Sequence, residues 1–485
     1  MKTVTNDRIT IIGAVFVAAL LFSCGNNLLS LPPTLNPPMP DIATGPTVTP
    51  TYSSLTIAWT SLVNVTSSIE WGTSSGTYPY MTPKTSSPAT SHSITINGLT
   101  QGQTIYYRIH MFWDGRANYR SNEFTATTNA ENPPDYVRAR GIWMVGGLSG
   151  SAINTTVGTI DLYDPVTNTW YPDVAASATG TYVPVSFAGY AAYNGKIYVI
   201  GGFDSTGACM NLVQIYDTNA NSWSTGANNI PAARANVNAA VYGGRIYILG
   251  GTTGAASAAF AAQNSTYVYN IAGDNWTTSL ALGASANRST LVYGGVVYHF
   301  GGKSAATTYL STHDGYTIAD NLVTSGQTEV ALSTVRAGMA AVLYAKSGVT
   351  PAIILIGGVS ASTGTTGNFI NQSTTGATLL NIVQYLRYPF VAPSAWLAIT
   401  SGREYPTNIA FSAAVIVSVS GTPYIYVFGG TQALGSSASG QKSVYRVTTP
   451  PEPPTTWDPS PSWASQANMP TGRWGHGAVT FASQE

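Results

Sequence analysis

The chain has 485 residues, 44% of them hydrophobic, which is enough for a sizeable core and for two to four domains. Only 8% are charged, against about 25% in an average soluble domain, and the 20 basic residues balance the 20 acidic ones. With no basic stripe there is no electrostatic footprint of a nucleic-acid binder, and a surface rich in Ser, Thr, Asn, Gln, Gly and Tyr suits an extracytoplasmic protein. The two cysteines, Cys24 and Cys209, cannot build a disulfide framework once Cys24 is otherwise used. No CxxC or paired Cys/His spacing is present, so neither a metal nor a cofactor is expected.

Residues 1–23 read as a targeting segment. Lys2 and Arg8 form a positive start, and Ile11 to Phe22 form an apolar run too short to span a bilayer comfortably. The run leads into Leu21-Phe22-Ser23-Cys24-Gly25, which resembles the bacterial lipobox. The resemblance implies lipidation of Cys24, membrane attachment through that lipid, and a place on the outer membrane or cell surface of a bacterium. An ordinary secretory peptide cleaved nearby is the alternative, and it too takes the chain out of the cytoplasm. Residues 24–50 read as a tether, with Pro32, Pro33, Pro37, Pro38, Pro40, Pro46 and Pro50 among small polar residues.

Residues 51–129 read as short alternating strands. Leu55, Ile57 and Trp59 share one face of a strand, Ile69 and Trp71 a face of the next, then Ile94 and Ile96, then Ile105, Tyr107 and Ile109. With the Gly98-Leu99 turn, Tyr106-Tyr107-Arg108 and the closing Phe124-Thr125, the segment resembles a fibronectin type III-like sandwich. That implies a spacer or adhesive module. Residues 130–135 (Ala-Glu-Asn-Pro-Pro-Asp) form a hinge.

From residue 136 to 485 one phrase recurs: a β-rich run ending in a glycine pair, at Gly147, Gly202, Gly251, Gly302, Gly358 and Gly430. The spacings between neighbours are 55, 49, 51, 56 and 72 residues. Each repeat adds a tight hairpin dipeptide (Asn194-Gly195, Gly243-Gly244), an Ile-Tyr or Val-Tyr pair (Ile197-Tyr198, Ile246-Tyr247), and a strand with Tyr before Asp or Asn (Tyr163-Asp164, Tyr216-Asp217, Tyr269-Asn270). A tryptophan closes the unit: Trp170, Trp223, Trp276, Trp396, and Trp457 or Trp463. These features resemble the kelch repeat, whose fold is a β-propeller. Blade four lacks a closing tryptophan between Leu310 and Gly326, and blade five carries an insertion from Ser360 to Leu380.

The first repeat begins at Gly141-Ile142-Trp143 without an inner strand, while the C-terminus holds a spare one at 473–481. Pairing the two closes a ring of six blades and leaves few unpaired edges. The expected fold is all-β: a sandwich followed by a six-bladed propeller.

In such a ring the long loops after the glycine pairs share one end with the starts of the inner strands. Arg234, Arg336 and Arg473 lie near those starts, each eight residues before an aromatic (Tyr242, Tyr344, Phe481). Arg403 has Phe411 eight residues on, well before its turn at Gly421, and Arg288 falls out of the register. A circle of guanidiniums there would fork-bond a carboxylate, an acidic peptide or an acidic sugar; alternatively, each arginine ties one blade to the next through backbone carbonyls. Asp204, Asn236, Glu404, Trp474 and His476 complete the candidate ligand-binding set at that end. A copper radical oxidase is rejected, since no histidine lies near Cys209 in the repeat pattern. Three readings follow. The first is a non-catalytic binding or adhesion protein for a glycan or protein. The second is a periplasmic sugar epimerase or mutarotase using Glu404, or Glu329 near Arg336. The third is a self-associating surface coat.

Overall fold

The computed structural model of the protein describes residues 40–50, 54–100, 102–113, 118–128, 133–176, 178–346, 348–360, 377–388, 395–399, 402–449 and 462–481. The targeting segment, Cys24, most of the tether, three hinge residues and Trp457 lie outside the described residues. Contacts divide the chain into two compact units, Met1–Asn129 and Ala130–Glu485.

The first unit is a curled all-β sandwich. Its strands are β1 (Ile42–Pro50), β2 (Ser54–Gly72), β3 (Tyr80–Met81), β4 (Ala89–Asn97), β5 (Thr104–Phe112), β6 (Tyr119–Arg120) and β7 (Phe124–Thr127). The first half of β2 pairs with β1 and β4, with Ile57 opposite Ile94. Beyond an irregularity between Thr60 and Val65, β2 pairs with β5, with Ile69 opposite Ile109. Leu55–Trp59 and Ile69–Trp71, expected on two strands, are thus carried by one strand that changes sheets. The period-two apolar positions Leu55, Ile57, Ile69, Ile105 and Ile109 are fully buried, as alternation requires.

Ile42–Pro50 corrects the expected tether boundary: this stretch is a sheet strand, not linker. Its prolines fit because β1 is an edge strand, where a missing N–H costs no ladder bond. Glu70 accepts from Arg108 Nε at 2.5 Å and from Arg120 Nε at 3.0 Å. Burial raises its pKa, but the two guanidiniums outweigh that and hold it below the ordinary carboxylate range. The cluster fastens β2 to β5 and β6.

The second unit opens with a short helix, α1 (Asp135–Arg140), which the hinge reading does not anticipate. Buried Arg138 donates to the Thr218 carbonyl, and Arg140 pairs with Asp164 at 2.6 Å. Six four-stranded sheets follow. Blade one consists of Gly477–Thr480, Ile142–Val145, Ile160–Asp164 and Thr169–Tyr171, from the axis outward. Its inner strand comes from the C-terminus, with Ala478 opposite Met144 and Val479 opposite Trp143. The closure read from the sequence is therefore the closure of the ring. The inner strands of blades two to six are Gly189–Tyr193, Ala239–Tyr242, Ser289–Tyr293, Ala340–Tyr344 and Ala413–Val419. Together with Gly477–Thr480 they neighbour one another in an unbroken cycle.

Two repeated hydrogen bonds lock blade to blade. The N–H of each second glycine donates to a carbonyl of the next blade. Gly147 donates to Val185 at 3.0 Å; Gly202 to Arg234, Gly251 to Ser285, Gly302 to Arg336, Gly358 to Ile409 and Gly430 to Arg473 all measure 2.8 Å. On the outside, closing tryptophans reach back to the preceding blade through Nε1: Trp170 to Ala467 O (2.9 Å), Trp276 to Asn228 O (3.1 Å), Trp396 to Val330 O (2.8 Å) and Trp463 to Arg403 O (3.2 Å). Blade four, though it lacks its own tryptophan, is a complete sheet. Trp396 of blade five covers it, packing edge-on against Phe300 and His313.

Candidate functional site

The ring axis is organised by six equivalent residues, one per blade, each two positions beyond the carbonyl that accepts the glycine N–H. They are Phe187, Asn236, Asn287, Gly338, Phe411 and Gly475, and all six have φ between 54° and 61°. Their backbones form a closed girdle. Asn236 N donates to Phe187 O, Asn287 N to Asn236 O, Gly338 N to Asn287 O, Phe411 N to Gly338 O, Gly475 N to Phe411 O and Phe187 N to Gly475 O, at 2.7–3.0 Å. Left-handed backbone turns each N–H around the axis instead of along a strand. At Gly338 and Gly475 glycine also supplies room. A Cβ there would stand 2.3 Å from the Phe411 ring and 2.8 Å from the Phe187 ring respectively.

The girdle divides the axis in two. At the end bearing the long loops, an apolar plug fills it. Phe187, Phe411 and Trp474 meet edge-on with ring centroids 5.3–5.9 Å apart, joined by Leu148, Phe203 and Val359 from just after the glycine pairs. At the other end the inner strands diverge into a funnel of about 1110 Å³ that reaches the tight hairpins Asn194-Gly195 and Gly243. A neck of about 70 Å³, lined by the girdle, Asn238, Arg288 and His476, lies at its base. Each inner strand is paired on one side only, so its free edge borders the funnel.

The mouth is aromatic. Tyr193, Tyr242, Tyr293, Tyr344 and Phe481 stand at the same register in five blades, at the hairpin end of the inner strand, and all line the funnel. Tyr242 is the most open at 43% exposure. Below the mouth the walls are largely Ala, Val, Leu and Ile. Among the described lining residues, Lys346 is the one charged group of the funnel, and no carboxylate is present.

The expected ring of guanidiniums does not line this space. Arg336 and Arg473 are fully buried and Arg234 nearly so. Arg473 Nη1 donates to Gly146 O (3.1 Å) and Thr159 O (2.9 Å), and its Nη2 pairs with Asp161 at 2.6 Å. Arg336 donates to Gly357 O (3.3 Å) and Gln384 Oε1 (2.7 Å). Arg234 donates to Ala233 O (2.9 Å) and lies over the Tyr267 ring. Burial pushes Arg336 down to about 10, which still leaves it protonated at neutral pH. These side chains run outward into their own blades: their use is structural, but each fastens strands of one blade and does not tie one blade to the next. Their register holds across the ring: Val185, Ser285 and Ile409 occupy the arginine position in the alternate blades. Arg288, three residues further on, is tied to His299 O and Asp314 in the same way.

The remaining candidates separate. Trp474 is fully buried in the plug, with Nε1 bound to Gly150 O at 2.9 Å, so it offers no free face for a sugar. Asp204 folds its own loop, accepting from Thr206 and Ala208; those bonds outweigh the effect of burial and lower its pKa. Glu404 accepts from Gly402 N at 2.8 Å, and the Arg403 carbonyl takes the Trp463 N–H, so both serve loops of blades five and six. Glu329 follows the outermost strand of blade four, Leu322–Thr328. Asn236 and His476 do line the neck. Asn236 Nδ2 donates to Thr252 Oγ1, and burial together with the Arg473 charge drives His476 down to about 3, so its imidazole is neutral. Cys209 is a half-buried thiol against Thr252 O, its pKa pushed up to about 11 by burial. Among the described residues no cluster of three or more His, Cys, Asp or Glu is placed to hold a metal.

Comparison with known proteins finds kelch repeats in the second unit. Residues 137–358 match the KLHDC2/KLHL20/DRC7 kelch-repeats domain. Alpha-scruin of Limulus polyphemus is 32% identical over 117 residues, 21% of this chain and 12% of that protein. Kelch-like protein 40 of Mus musculus is 27% identical over 166 residues, 33% of this chain and 24% of that protein. The chain thus spans a quarter or less of these relatives. The solved structure of YjhT aligns over 68% of this chain and 98% of its own, at 14% identity and a TM-score of 0.44.

Proposed function

We propose that this chain, built on a kelch-repeat six-bladed propeller, is a lipid-anchored binding protein that acts outside the cytoplasm and takes a glycan or protein ligand in its central funnel. The funnel carries this reading. It is large, blind at the girdle and aromatic at its mouth, and its described lining has no carboxylate to act as a general acid or base. The ligand end is therefore the hairpin end, not the loop-rich end. The anchor rests on Leu21–Gly25, and the fibronectin-like sandwich serves as spacer between membrane and propeller.

Radioactive palmitate should label the wild-type protein in bacteria and fail to label Cys24→Ala; equal labelling of both removes the anchor. NMR of sialic acid and neutral hexoses should show no faster anomeric exchange with the protein than without it. Catalysed exchange would restore the epimerase or mutarotase alternative.

A further inference from the structure

From the funnel's lining we infer that its occupant is the free end of a neutral glycan chain, entering between the mouth tyrosines; this rests on the funnel being the ligand site. Because the girdle and plug seal the far end, nothing threads through, and the ligand must present an end or a narrow tip.

Two features of the lining select its chemistry. Tyr193, Tyr242, Tyr293, Tyr344 and Phe481 surround the mouth; Tyr344 is buried, while Tyr242, at 43% exposure, presents a flat apolar face with a polar tip, suited to the C–H faces and hydroxyls of sugars. Deeper in, the free edges of the inner strands border the space, and each carries both N–H donors and C=O acceptors. A sugar hydroxyl both donates and accepts, so it satisfies either kind. Buried Thr290 lines the funnel and its Oγ1 has no hydrogen-bond partner in the protein. At the neck, buried Asn287 likewise has an unpartnered Nδ2. Both atoms are shielded from solvent by the protein, so a ligand reaches them only after a side-chain rotation, and the choice of ligand rests on the mouth and the strand edges.

Charge decides against the other ligand classes. A peptide end brings an ammonium or a carboxylate. No described lining residue is an acid that could neutralise the first, and the neck's Arg288 is already committed to Asp314 at 2.7 Å. Lys346 stands at the mouth, where solvent screens it. An acidic sugar meets the same shortage of free cations.

The test uses the full-length protein with maltohexaose, cellohexaose, xylohexaose and chitohexaose, read by calorimetry. At least one should bind one-to-one. Tyr242→Ala with Tyr293→Ala at the mouth should weaken it about tenfold, and Ser418→Trp, at an exposed position of the lining, should abolish it by bulk. Binding of none of the four, or binding unchanged in both variants, overturns the glycan assignment. A peptide selected from a random display library that binds in a Ser418→Trp-sensitive manner also overturns it, while leaving the funnel as ligand site. If no hexaose binds and no peptide is selected, the funnel reading fails as well.

Discussion

Deleting residues 474–485 should leave the second unit without a cooperative unfolding transition. The deletion removes the inner strand of blade one, which pairs Gly477–Thr480 with Ile142–Val145. It also removes Gly475, the sixth member of the girdle, and Trp474, whose backbone exchanges two hydrogen bonds with Leu148 at 2.9 and 3.0 Å. Losing a fully buried tryptophan side chain alone costs about 3–5 kcal/mol. A typical folded domain has only about 5–15 kcal/mol in total. Opening the ring also leaves the inner edge of Ile142–Val145 unpaired, so aggregation should accompany it. Near-UV circular dichroism during urea titration checks the outcome. A cooperative transition close to wild type would mean that the ring closes without its tail.

Arg473→Met should destabilise the propeller by about 3–5 kcal/mol, the usual cost of leaving one member of a buried ion pair uncompensated. Asp161 and Arg473 are 1% and 0% exposed, and the substitution strands the carboxylate beside two carbonyls, Gly146 O and Thr159 O, that have lost their donor. Adding Asp161→Leu should recover a large part of the loss, since removing both charges abolishes the unpaired one. Urea midpoints for the two single variants and the double variant give the coupling. A loss under about 1 kcal/mol, the range of exposed pairs, would mean that Arg473 is not the internal fastener described here. Such a result would reopen a ligand role for it.

The legible part of the fold is what the backbone demands locally and repeats. Glycine pairs mark the same sharp turn six times, and a strand spare at 473–481 answers one missing before Ile142. Side-chain direction was the illegible part. An arginine reaching outward to backbone carbonyls leaves the same letter in the sequence as one reaching inward to a ligand. Its eight-residue spacing to Tyr242, Tyr344 and Phe481 served as a register mark, and the aromatics at the far end of that spacing line the mouth of the funnel. The girdle had no readable signal. Phe, Asn, Asn, Gly, Phe and Gly share only a backbone conformation there, and phenylalanine rarely adopts it. That is also why Phe411, eight residues after Arg403, matched by coincidence: it belongs to the girdle, not the mouth. Ile42–Pro50 was hidden by composition, since proline marks linkers and edge strands alike.

Both the clasp and the blind funnel depend on the C-terminal strand being part of blade one. Hydrogen–deuterium exchange of the full-length protein measures this directly. Peptides covering residues 474–481 should exchange as slowly as those covering 142–145, the strand they pair with. Complete exchange of 474–481 within seconds, beside a protected 142–145, would contradict the closed ring and the axis built on it.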